Sequence, residues 1–150
     1  MNSWIRRNCL ALALLGAWGP AAATLGEDMN TVQVDQARLQ ATLEITGTAG
    51  FALHQMRLPS GTVVNEYVSP SGMVFAISWQ GPALPDLRQV LGRYFEQYVD
   101  AVRTQDIGSA SGRTAGTGLV VQSRGHMRAF FGRVYLQPML PRGVQAEDIQ

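Results

Sequence analysis

The sequence predicts an α+β domain: an antiparallel sheet of about five strands, a meander plus a C-terminal hairpin, with one long amphipathic helix packed on it and a short N-terminal helix. Two observations carry this. Between Thr42 and Trp79, apolar and β-branched residues alternate with polar ones, and Gly/Pro turns cut the alternation into strand-length pieces. From Leu87 to Val102 the apolar residues recur instead at three- and four-residue spacing, the period of a helix with one apolar stripe. Such a stripe must be buried, and the open face of the meander is available to cover it.

Residues 1–23 predict an export signal. Arg6 and Arg7 make a basic start, Cys9 to Trp18 are apolar, Gly19-Pro20 breaks the helix, and Ala21-Ala22-Ala23 is a small-residue cleavage site. The apolar run is about half of the roughly twenty residues a spanning helix needs, so no membrane span is expected after cleavage behind Ala23. The Arg pair also fits the twin-arginine route. Cys9 precedes the apolar run, which is the wrong side for lipidation. Residues 24–150 then read as a single α+β domain.

Asn30, with Gln33 three residues on, makes a capping-box start. A short helix is expected over Thr31–Gln40, after a polar leader at Thr24–Met29. Thr42–Thr46 is the first strand, with Leu43 and Ile45 on one face. Gly47–Gly50 turns the chain into Phe51–Leu58. Pro59-Ser60-Gly61 leads into Thr62–Ser69, and Pro70-Ser71-Gly72 into Met73–Trp79. After the linker Gly81–Pro85, Pro85 and Asp86 suit a helix N-terminus. The helix runs to about Arg103. Thr104–Thr117 is rich in Gly, Ser, Ala and Thr and is expected to be a flexible loop. Strands follow at Gly118–Ser123 and His126–Leu136, joined at Arg124-Gly125, and then a surface-hugging tail.

Composition removes several chemistries. All twelve basic residues are Arg, so no lysine can form a Schiff base or a P-loop contact. The one cysteine lies in the export signal, which leaves the domain without a nucleophilic thiol, disulfide or thiolate metal site. With Arg6 and Arg7 removed, ten arginines face eleven acids, a net charge near −1 that gives no reason to expect nucleic acid. The two histidines, His54 and His126, rule out a three-His zinc site. A two-His, one-carboxylate site has no local motif, so no metal or cofactor is expected.

Three sets of residues are candidates for a site. With a three-residue loop at Pro59-Ser60-Gly61, His54 falls opposite Glu66, and opposed side chains lie about 5 Å apart at Cβ. A carboxylate there would raise the histidine pKa and ready it for acid–base work; the plainer reading is an ion pair on a solvated face. In Gly125–Arg133, His126, Arg128 and Arg133 interleave with Phe130 and Phe131, a pattern able to bind an anion or a glycan. The plainer reading is a strand with its arginines outward and a bulge at Gly132. Trp79, with Tyr94, Phe95, Tyr98, Phe130, Phe131 and Tyr135, would line a pocket or simply form the core. Ser60 and Ser71 lack a nucleophile elbow and are not taken as nucleophiles.

Three stretches together point to a family: Leu58–Pro70, Val74–Pro82 followed by Pro85-Asp86-Leu87, and Gly125–Phe130. The chain resembles the uncharacterised proteobacterial family known as domain of unknown function 2844, across nearly all of its exported part. The resemblance implies an exported protein of a Gram-negative bacterium and carries over no catalytic residue. The expected function is that of a non-catalytic periplasmic or secreted binding or accessory protein, with a protein of the envelope as one partner. The alternatives are a small hydrolase or lyase using His54 or His126 with Glu66, and a carrier of a small apolar or anionic ligand. Arg128, Arg133 and Trp79 are the candidate ligand contacts.

Overall fold

A computed structural model describes residues 25–103, 109–113 and 117–150. The expected export signal lies outside the described residues. Seven strands follow in chain order: β1 (Thr42–Gly47), β2 (Ala52–Arg57), β3 (Val63–Val68), β4 (Val74–Gly81), β5 (Ser109–Arg113), β6 (Leu119–His126) and β7 (Ala129–Leu136). They form one antiparallel sheet in the order β1-β2-β3-β4-β7-β6-β5. The expected meander is β1 to β4. The C-terminal hairpin joins it through β7, which pairs with β4.

β5 was not expected. It lies within 104–117, where a flexible loop was anticipated, and pairs with the outer edge of β6 from Ser109↔Arg124 to Arg113↔Val120. The ladder to β6 recruits this segment, which also lies beside α3 and whose sequence has no apolar alternation. Residues 104–108 and 114–116 lie outside the described residues.

The β6–β7 turn is also displaced. Arg124 and Gly125 stay in the ladder, opposite Phe131 and Phe130, and the chain reverses at Met127-Arg128. Both turn residues have positive φ, 40° and 69°, as a two-residue turn matched to strand twist requires. Gly125 is small for another reason: a Cβ there would lie 2.5 Å from Phe130 Cδ1.

The helical part has three pieces: α1 (Asn30–Leu39), α2 (Leu87–Leu91) and α3 (Phe95–Arg103). A 3-10 turn at Gly92–Tyr94 links α2 to α3, so the expected long helix spans its full range with one interruption. Gly92 sits at φ 47°, ψ −120°, which a residue with a Cβ rarely adopts. Asp86 caps α2 as anticipated, its side chain accepting from Gln89 N at 3.1 Å. Asn30 does not cap α1. Instead Asp28 Oδ1 accepts from Asn30 N at 2.9 Å. The leader is tied to β4 by Gly26 N→Val74 O (2.7 Å) and an Asp28↔Met73 bridge, which places Asp28 at the helix start.

The sheet is covered on both faces. On one, the helices bury Val32, Leu87, Val90, Leu91 and Tyr98 against Met56, Val64, Ile77, Trp79, Val121 and Val134. On the other, the C-terminal tail lays Val144 and Ile149 on Tyr67, Phe75, Ala76, Val120 and Tyr135. An irregularity between Tyr67 and Val68 shifts the β3–β4 register, and the extra residue lets Phe75 and Ala76 both face the tail. β1 outruns this cover: Ile45 is 60% exposed, and only half-buried Leu43 packs against the core. Among the described residues no helix is long and apolar enough to cross a membrane.

Candidate functional site

The opposition expected between His54 and Glu66 is present. Leu58 N donates to Thr62 O at 2.9 Å across Pro59-Ser60-Gly61, and the ladder pairs His54 with Glu66. Their environment differs from a solvated face. His54 is 4% exposed and Glu66 0%. Both point to the helix side, where α1 brings a third buried polar residue, Asp35. Asp35 Oδ1 accepts from Gln89 Nε2 of α2 at 2.9 Å.

No hydrogen bond joins the histidine to the glutamate. His54 Nδ1 and both Glu66 carboxyl oxygens are buried without a hydrogen-bond partner among the described residues. The electrostatics follow. Burial, and then the negative charge of Asp35, push the Glu66 pKa up to about 8. Burial lowers that of His54. The expected raising of the histidine by an ionised neighbour does not occur, because desolvation favours the neutral form of both groups. Among the described residues no group of three or more His, Cys, Asp or Glu side chains is placed to hold a metal ion.

The second candidate set is taken apart by the shifted turn. Arg128 lies in the exposed turn beside Met127, which is 89% exposed. His126 closes the ladder opposite Ala129, on a different hairpin from His54. Arg133 sits mid-strand and holds the tail: Nε donates to Gln122 Oε1, and Nη1 to Ala146 O and Ile149 O (2.9 Å). Gly132 is not a bulge. It pairs regularly with Trp79 and Ser123, and its missing side chain makes room for the indole, since a Cβ would lie 2.7 Å from Trp79 Cε2 and closer still to Cζ2.

Trp79 serves the core. Its ring packs edge-on to Tyr98, centroids 6.1 Å apart, and its Nε1 is buried without a hydrogen-bond partner among the described residues. Tyr98 and Tyr135 are buried, and Tyr94 and Phe95 pack at the core margin. Phe131 departs from this pattern at 47% exposed.

Phe131 belongs to an open groove of about 660 Å³ on the tail side, lined by Trp79, Gln80, Gln122, Arg124, Phe131, Gly132, Arg133, Ile149 and Gln150. Two rows of side chains cross three strands here. Ser78, Arg133 and Gln122 are register partners, and so are Gln80, Phe131 and Arg124. The tail covers the first row through Arg133. The second row is open. Of the expected contacts, Arg133 and Trp79 border this groove and Arg128 does not. Gln80, Gln122 and Arg124 were missed. The available signal was parity: residues paired with Phe131 share its face.

The family model described as protein of unknown function (DUF2844) matches residues 21–149. The chain belongs to that family. No match was found among curated proteins or solved structures. The DUF2844 match covers every strand and helix described above.

Proposed function

We propose that the protein is exported, loses residues 1–23, and acts in the periplasm or outside the cell as a non-catalytic binding or accessory protein whose recognition face is the groove around Phe131. One observation carries the reading. The residues best suited to acid–base chemistry, His54 and Glu66, are enclosed beneath α1, whereas the groove presents a half-exposed aromatic ring beside Arg124 and two glutamines. A hydrolase or lyase built on Glu66 would need substrate to reach a carboxyl with no exposed surface. Recognition at the groove needs no rearrangement.

The test uses the full chain produced in a Gram-negative host. The expected result is a species beginning at Thr24 in the periplasm or medium. By native mass spectrometry it carries bound mass that a Phe131→Ala variant lacks. Unprocessed protein retained in the cytosol would overturn the export reading, and identical spectra for the two proteins would overturn the binding face.

A further inference from the structure

We infer that the groove takes an acidic oligosaccharide of the uronate type. The inference rests on reading the groove as the recognition face and names its ligand.

Charge comes first. The groove is bordered by two arginines and, among the described residues, by no Asp or Glu side chain, in a domain whose net charge is near zero. One guanidinium, that of Arg133, is engaged with Gln122 and the tail. The other, Arg124, is exposed and has no ion pair or hydrogen bond to any described residue. It is the free planar fork that a carboxylate fits.

The shape of the row comes second. Gln80, Phe131 and Arg124 stand side by side on adjacent strands, about 10 Å from end to end at normal strand spacing. The ring sits in the middle, with an amide on one side and a cation on the other. A half-exposed ring offers a flat apolar face, as the C–H face of a pyranose requires. Amides donate and accept, which suits vicinal hydroxyls. Gln122 and Gln150 add two more amides along the same wall. A purely apolar ligand would leave Arg124 and the Gln80 amide unpaired, and a bare inorganic anion would leave the ring uncovered. A carboxylated sugar satisfies ring, amides and cation together.

The experiment is a titration of the exported protein, uniformly labelled with nitrogen-15, with trigalacturonate. Its methyl ester serves as a neutral match, and an oligothymidylate as the competing class. Expected are shifts confined to Gln80, Gln122, Arg124 and Phe131, and affinity for the acid at least about tenfold above that for the ester, in proportion to one charged hydrogen-bonded contact. Arg124→Gln should weaken acid binding by a similar factor and leave ester binding unchanged. Phe131→Ala should abolish both, with an otherwise unchanged spectrum. Equal affinity for acid and ester, tighter binding of the oligothymidylate, or no shifts in the groove would overturn the inference. Bound mass that depends on Phe131 in the protein isolated from its host, together with no galacturonate binding, would refute the ligand class alone. Absence of both would refute the recognition face as well.

Discussion

Replacing Glu66 by Gln should make the protein more stable as the pH rises. Glu66 has no exposed surface and its carboxyl makes no hydrogen bond to a described residue. Its pKa is 4.5 in the open chain and about 8 in the fold. Between these values the folded state holds a proton that the unfolded state has lost, so stability falls as pH rises through this window. The slope is about 1.4 kcal/mol per pH unit for one group. The loss relative to acid pH is roughly 3 kcal/mol at pH 7 and about 4 kcal/mol by pH 8. Gln is isosteric and neutral at every pH, so this dependence vanishes in the variant. Its buried amide costs about 1–3 kcal/mol where unpaired, which places the variant at or below the parent near pH 4.5. The two stability curves therefore cross, and the variant leads at pH 8. Urea unfolding from pH 4.5 to 8.5 reads this directly, followed by Trp79, the single tryptophan once residues 1–23 are gone. Parallel curves would refute the reasoning, because they would mean that Glu66 titrates alike in both states.

Three further outcomes follow from the same structure. Burial lowers the His54 pKa, so folding excludes a proton that the unfolded chain binds below about pH 6.5. That contribution is present above this pH and fades as pH falls, so the stability of His54→Asn relative to the parent should rise between pH 7.5 and 5 in the same unfolding assay, and a constant difference would count against it. Arg128→Gly should stabilise the β6–β7 hairpin by about 1 kcal/mol, because it relieves a side chain at φ 69°; an unchanged urea midpoint would remove that strain from the account. Gly132→Ala should destabilise by about 1–3 kcal/mol through overpacking against the indole, with a shift in Trp79 emission, and neither change appearing would show that the strand yields freely.

The meander was legible because its signals are local. Alternation set the strands, and the two Pro-Ser-Gly turns fixed their lengths closely enough to place His54 opposite Glu66. What covers that pair was not legible. Asp35 reaches Glu66 from α1, a segment with only two buried residues and a weak apolar stripe, so nothing near His54 in the sequence announces its burial. β5 was missed because Ser-Ala-Ser-Gly-Arg carries no apolar period and is held by ladder hydrogen bonds. Gly125 misled by its identity: glycine suggests a turn, but here it clears space for Phe130, and the turn falls on two residues of low turn propensity. That two-residue error separated Arg128 from Arg133 and concealed the row of Gln80, Phe131 and Arg124. The break at Gly92 was hidden because apolar residues continue on both sides of it.

The central claim is that recognition occurs at the outer groove and not at the buried acid–histidine pair. Amide chemical-shift mapping of the labelled, exported protein against a small-molecule extract of its native envelope tests this most directly. The account predicts perturbations clustered at Gln80, Gln122, Arg124 and Phe131, with His54, Glu66 and Asp35 silent. Perturbations centred on His54 and Glu66 above a silent groove would contradict it.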